Sequence, residues 1–102
     1  MATYSCGRVS DMECGTVREI TVGGRTLALA RGEDGEYHVL DNMCAHQGGP
    51  LGRGYIDGDT LVCPIHGFAY HLGDGSCTML PALRVPTIPV RIDGDEVLVE
   101  LD

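Results

Sequence analysis

The chain has 102 residues, with 7 basic and 15 acidic side chains and a formal charge of −8, and this length predicts one domain, residues 1–102. The charge argues against nucleic-acid binding, which needs a basic face. It favours docking on basic patches of other proteins, although acidic surfaces also serve solubility alone. No apolar run is long enough for a transmembrane helix, and residues 1–6 do not resemble a signal peptide. We therefore expect a cytoplasmic monomer without membrane contact.

Short strands separated by glycine-containing turns follow one another along the chain. Apolar and polar side chains alternate with period two, which is typical of half-buried strands. The strands predicted in this way cover residues 17–22, 25–31, 36–41, 88–93 and 96–101. Gly23-Gly24 and Gly94-Asp95 predict two-residue hairpin turns, and residues 32–35 predict another turn. No eleven-residue window shows a helical stripe, so the predicted fold class is all-β with antiparallel hairpins.

The middle of the chain, about residues 42–72, is rich in glycine, which indicates backbone bends and close approach of the backbone to another group. We predict that this segment is a small subdomain inserted in a larger β framework. Leu61-Val62 leads into Cys63, and residues 68–72 lead away from it. The segment between them is therefore predicted to be the tip of a hairpin.

Two metal-ligand motifs lie in this segment, Cys44-x-His46 and, sixteen residues later, Cys63-x-x-His66. Two thiolates and two imidazoles suit zinc or an iron–sulfur cluster. Zinc sites usually take two cysteines from one loop and two histidines from another. A Rieske 2Fe–2S centre places two cysteines on one iron and two histidines on the other. Because each loop here offers one ligand of each kind, the pattern favours the cluster.

With these motifs the chain resembles the Rieske family. The residues that carry the resemblance are Cys44, His46, Cys63, His66 and Gly67, with Gly49-Pro50-Leu51 and Pro81 beside them. The similarity runs from about Val17 to Leu101. It implies an antiparallel Rieske-type β-sandwich with one 2Fe–2S cluster at its tip. It also implies that the two cysteines hold the inner iron and that the two histidines hold the outer iron near solvent.

The residues around the ligands predict a low reduction potential. High-potential members of the family carry a bridged pair of cysteines, at the positions that Gly49 and Ile65 occupy here. They also place a serine hydroxyl where Phe68 stands, whereas Tyr70 matches the family's second hydroxyl donor. Losing a hydroxyl donor to a cluster sulfur destabilises the electron-rich reduced state. We expect the low end of the Rieske range of roughly −150 to +300 mV.

The resemblance also implies a class of Rieske protein. Ring-hydroxylating oxygenases need a further iron held by two histidines and a carboxylate, whereas His71 is the sole histidine among the 36 residues after His66. We expect a ferredoxin, not an enzyme, that passes electrons from an NAD(P)H-dependent flavin reductase to a terminal oxygenase acting on aromatic compounds. The alternatives are the small Rieske-like subunit of an assimilatory nitrite reductase and a non-redox zinc-binding module.

The tip that carries the outer iron is predicted to be the docking face. The candidates for contact with the cluster or a partner are Gln47, Gly48, Pro50, Leu51, Gly67, Phe68, Tyr70 and Pro81. His38 and His71 lack motif spacing and are predicted to be structural strand residues. Cys6, Cys14 and Cys77 are expected to be buried or half-buried structural thiols.

Overall fold

A computed structural model describes residues 2–44, 49–65 and 67–101. Within these ranges the chain forms ten strands: β1 Ala2–Arg8, β2 Thr16–Val22, β3 Arg25–Arg31, β4 Tyr37–Asp41, β5 Tyr55–Asp57, β6 Thr60–Val62, β7 Ala69–His71, β8 Thr87–Ile88, β9 Val90–Asp93 and β10 Glu96–Leu101. One-turn 3-10 helices span Val9–Asp11 and Leu51–Arg53. No helix in the described ranges is long and apolar enough to traverse a bilayer. The predicted all-β class is confirmed.

The strands form three sheets, with the orders β1-β10-β9, β2-β3-β4-β8 and β5-β6-β7. All of the pairings between these strands are antiparallel. The predicted hairpin turn at Gly23-Gly24 joins β2 to β3, with Val22 opposite Arg25. Both glycines have positive φ angles, +56° and +77°, which the favoured two-residue hairpin turn requires and which glycine adopts without strain.

The strand predicted over residues 88–93 is divided at Pro89. β8 ends at Ile88 and pairs with β4, whereas β9 begins at Val90 and pairs with β10. Proline has no backbone N–H to donate to a sheet ladder. The chain therefore passes from one sheet to another at this residue, although the apolar alternation continues through it.

The N-terminal strand β1 was not predicted, because its sequence has little apolar alternation. It pairs along its length with β10, so that Ala2 lies opposite Leu101. The register shifts between Ser5 and Gly7, which marks a bulge at Cys6. Pairing with a strand from the far end of the chain, rather than a local pattern, makes this segment a strand.

The sheet that contains β3 and β4 separates two apolar cores. Leu27 and Leu29 of β3 face one core, which also contains Val97 and Val99 of β10. Ala28 and Ala30 face the other, which contains Leu61 and Tyr70 of the third sheet. A strand that is covered on both faces reads as a continuous apolar run, which explains the unbroken Leu27–Ala30 segment.

Three loops come together beside the third sheet. The loop between β6 and β7 is the tip of a hairpin, as predicted, with Val62 opposite Ala69 at its base. The amide of Thr78 donates to the carbonyl of Ala69 (N to O, 2.9 Å), which places the start of a third loop, residues 78–83, at the same end. We call the described residues of these three loops, 43–44, 49–51, 63–65, 67–68 and 78–83, the tip. The boundary of a separate subdomain at residues 42–72 stays a prediction.

Candidate metal centre

The first loop is closed at its neck by backbone pairing. Met43 and Pro50 form an antiparallel bridge, and the amide of Cys44 donates to the carbonyl of Gly49 (N to O, 2.9 Å). Cys44 therefore stands where the loop opens, with its side chain buried. Three predicted site residues of this loop, His46, Gln47 and Gly48, lie outside the described residues.

The second loop repeats this arrangement. The amide of Cys63 donates to the carbonyl of Phe68 (N to O, 2.7 Å), and Cys63 is also buried. Gly67 has a φ of +72° and donates its amide to the carbonyl of Cys63 (N to O, 3.1 Å). Each cysteine thus begins a loop whose return lies five residues further on. His66 falls outside the described residues.

The two loops meet at Gly49. A Cβ atom placed on this glycine would lie 3.1 Å from Cys63 Sγ and 2.6 Å from Cγ1 of Ile65. The backbone of the first loop therefore lies directly against the sulfur of the second loop, and a side chain at position 49 would press on that sulfur and on Ile65. Although they are separated in sequence, the two predicted ligand loops therefore lie against each other.

Tyr70 brings a hydroxyl to this site. It lies on β7 with its side chain fully buried, and its Oη is 2.9 Å from Cys44 Sγ. A phenol O–H donates a hydrogen bond, and a thiolate accepts one. Tyr70 therefore places a hydroxyl against the sulfur of Cys44, whereas Phe68 offers no such group and is half-buried.

Two predictions about individual residues need correction. Leu51 is fully buried in the core between the second and third sheets, so it packs the base of the first loop and cannot touch a partner. Cys14 is exposed, whereas Cys6 and Cys77 are buried as expected. Burial raises the pKa of the Cys6 thiol to about 11, against the opposing charge of Arg18.

The tip exposes apolar side chains that are not among the predicted site residues. Met43 and Ile65 flank the two cysteines with 64% and 52% of their surface exposed, and Met79 in the third loop is 66% exposed. Leu80 is also exposed, as is Pro81. A signal was present in the sequence, since residues 42–52, 60–73 and 75–83 contain no Lys, Arg, Asp or Glu.

Of the remaining predicted residues, Pro50 and Gly67 belong to the tip, whereas His38 and His71 lie outside it. Pro50 is half-buried and Gly67 is exposed. His38 lies on β4 and His71 on β7, and both are half-buried. His71 is the last residue of β7, at the end away from the second loop. Its Nδ1 lies 3.9 Å from Asp59 Oδ2.

Most of the chain is similar to proteins of one family. Residues 2–89 match the family profile described as the Rieske 2Fe-2S domain. The ferredoxin component of the naphthalene 1,2-dioxygenase system of Pseudomonas putida is 33% identical over 94 residues, which cover 91% of this chain and 89% of that protein. A probable 3-ketosteroid-9-alpha-monooxygenase, oxygenase component, of Rhodococcus rhodochrous is 40% identical over 86 residues, 83% of this chain. The chain spans only 21% of that oxygenase component.

Solved structures show the same fold. A complex of reduced oxygenase and oxidized ferredoxin in carbazole 1,9a-dioxygenase contains a chain with 30% identity and a TM-score of 0.84, covering 95% of this chain and 100% of that one. A putative NADH-dependent nitrite reductase small subunit from Mycobacterium tuberculosis has 27% identity and a TM-score of 0.87, with 96% and 93% covered. The profile match begins at residue 2, upstream of the expected start at Val17, and so includes β1. Because the family profile matches residues 2–89, the chain belongs to the Rieske 2Fe-2S domain family.

Proposed function

We propose that this protein is a ferredoxin, a one-electron carrier and not itself an enzyme, with Cys44, His46, Cys63 and His66 as the iron ligands of its Rieske cluster. It takes electrons from an NAD(P)H-dependent flavin reductase and passes them to a terminal ring-hydroxylating oxygenase in the cytoplasm. The observation that carries the proposal is the contact of the first loop, at Gly49, with the sulfur of Cys63, while Cys44 is buried at the start of the first loop. The near full-length match to the naphthalene dioxygenase ferredoxin supports this role.

The donor set suits this cofactor. When bound, a 2Fe–2S cluster accepts and returns one electron, which is the chemistry that a carrier needs. Two ferric ions, two sulfides and two thiolates sum to zero charge, so the oxidised centre needs no counter-ion. The uncharged segments 42–52 and 60–73, which contain Cys44 and Cys63, match that requirement, because an unpaired buried charge would be costly. We also propose that the chain is one Rieske domain, with residues 42–72 as its cluster-binding part.

Tyr70→Phe is expected to lower the midpoint potential of the cluster. Removing the hydroxyl beside Cys44 Sγ takes away a donor that stabilises the more negative, reduced state. One hydrogen bond is worth about 0.5–1.5 kcal/mol, equivalent to roughly 20–65 mV for a one-electron couple. Protein-film voltammetry at constant pH measures the change. A potential that stayed the same or rose would show that Tyr70 does not donate to the ligand sulfur.

The tip is the proposed docking face. Exposed apolar side chains at its centre, with charged residues confined to other segments, resemble the desolvated core and polar rim of protein interfaces. The net charge of −8 can steer encounter with a basic partner surface. Electron-transfer contacts of this kind are small.

Ile65→Glu or Met79→Glu is expected to slow electron transfer to the oxygenase by about tenfold, because a carboxylate at the centre of a contact must be desolvated without a partner. The matched control is Ile92→Glu, since Ile92 is similarly exposed at 48% but lies on β9, outside the tip. Stopped-flow oxidation of the reduced protein gives the rates, and the unchanged cluster spectrum confirms that the site is intact. Unchanged rates in both tip variants would place the docking face elsewhere, and equal slowing by all three variants would assign the effect to the added charge.

Reconstitution tests the proposed function itself. The purified protein should be reduced by a flavin reductase with NAD(P)H and should then restore turnover by a ring-hydroxylating oxygenase. The full-length likeness to the M. tuberculosis protein favours one second candidate, the small subunit of a nitrite reductase. Support of nitrite reduction in place of oxygenase turnover would select that candidate. The zinc-module alternative finds no support in the family match.

A further inference from the structure

A carboxylate from β2 reaches the base of the first loop. The side-chain amide of Asn42 donates to Glu19 (Nδ2 to Oε2, 2.6 Å). The carbonyl oxygen of the same Asn42 side chain accepts from the amide of Gly52 (N to Oδ1, 2.7 Å), and the main-chain carbonyl of Asn42 accepts from the amide of Leu51 (N to O, 2.8 Å). Asn42 thus joins both ends of the loop that contains Cys44, and Glu19 holds Asn42.

Gly52 packs closely against both Glu19 and Asn42. A Cβ atom on Gly52 would lie 2.5 Å from Glu19 Cγ and 2.8 Å from Asn42 Oδ1. Only glycine fits against Glu19 at this distance, since the backbone nitrogen of Glu19 would also lie 2.8 Å from the added Cβ. Gly52 and Asn42, which lie on opposite ends of the loop, are therefore both in contact with one side chain of a different strand.

The second carboxylate oxygen of Glu19, Oε1, accepts a hydrogen bond from Arg53. Arg53 Nε donates to Glu19 Oε1 (2.9 Å), but 74% of the Arg53 side chain is exposed, against 29% for Glu19. Exposed ion pairs contribute little to stability, whereas losing the acceptor of a buried amide is costly. Hydrogen bonds from Arg53 and Asn42 hold the pKa of the Glu19 carboxyl below its usual value. The carboxyl is therefore ionised at neutral pH, and its contact with Asn42 is the structurally important one.

We propose that Glu19 is a positioning residue that holds the neck of the first loop, through Asn42 and Gly52, in the conformation that presents Cys44 to the cluster. This inference rests on the ligand assignment proposed above. It predicts that the Glu19–Asn42 contact controls local opening of the loop, and so the rate at which iron is lost, without controlling the stability of the distant β1-β10-β9 sheet.

The test compares Glu19→Ala with Glu19→Gln in the cluster-loaded protein. Loss of a hydrogen bond to a charged group predicts about tenfold faster bleaching of the cluster by an iron chelator in Glu19→Ala. Glu19→Gln, which keeps an acceptor for Asn42, should stay within about threefold of the wild type. Glu36→Ala is the matched control, because Glu36 is an exposed carboxylate outside the tip, and it should bleach at the wild-type rate.

Hydrogen exchange followed by mass spectrometry separates a positioning role from a general structural one. In Glu19→Ala, exchange should accelerate in peptides covering residues 42–53 and stay unchanged in peptides covering β10. Acceleration in both regions would overturn the proposal, as would wild-type exchange at residues 42–53. Should Glu19→Ala fold poorly, Asn42→Ala must show the same local acceleration. A wild-type protein without iron would overturn the ligand assignment, while the exchange comparison would still decide the role of Glu19.

Discussion

His66→Ser and Cys63→Ser are each expected to abolish the intact Rieske centre. The wild-type protein should contain two irons and two acid-labile sulfides per chain, as the family cofactor requires. Each substitution removes one of the four proposed ligands, and a serine hydroxyl is a poor replacement for a thiolate or an imidazole on iron. Iron and sulfide analysis, together with the electron paramagnetic resonance spectrum of the reduced protein, measures the loss.

His71→Ser is the control for this experiment. His71 lies on β7, close in sequence to the second loop, but it faces Asp59 and lies outside the ligand motif. This variant, and likewise His38→Ser, should retain full iron and sulfide content. Stoichiometric zinc without labile sulfide in the wild-type protein would contradict the assignment, as would a normal Rieske spectrum in His66→Ser.

The double variant Gly49→Cys/Ile65→Cys is expected to form a disulfide between the two loops. A Cβ atom on Gly49 would lie 3.5 Å from the Cβ of Ile65, within the roughly 3.5–4.5 Å that disulfides span. The bridge would close a segment of 17 residues, counted from 49 to 65. In the chain-entropy treatment a loop of about this length contributes roughly 3 kcal/mol to stability. The single variant Gly49→Cys should instead destabilise the site, because its Cβ would press on Cγ1 of Ile65 and on Cys63 Sγ.

Mass spectrometry after alkylation under denaturing conditions without reductant tests the bridge. The double variant should show two fewer alkylated thiols than its reduced form, and its denaturant midpoint should exceed that of the wild type. The matched comparison is the same double variant under reducing conditions. Full alkylation of both new cysteines without reductant would show that the two loops do not approach as closely as Gly49 and Ile65 indicate.

Local sequence features determined much of this protein. Period-two alternation and the Gly23-Gly24 turn depend on neighbouring residues alone, so the hairpin of β2 and β3 could be predicted with its turn. The ligand spacing could be read for the same reason, because each loop supplies one cysteine and one histidine within four residues. The absence of charged residues from the segments of the tip could also be seen in the sequence, but the exposure of their apolar side chains could not.

Only the tertiary structure decided which elements meet. Alternation shows that a strand has two faces, but it does not show what covers them. The pairing of β1 with β10, the division at Pro89, the burial of Leu51 and the exposure of Cys14 therefore depended on contacts distant in sequence. The contact between Glu19 and Asn42 joins residues 23 positions apart. On β2 alone Glu19 reads as an ordinary outward-facing charge, and it becomes a support of the first loop only because that loop folds back onto its strand.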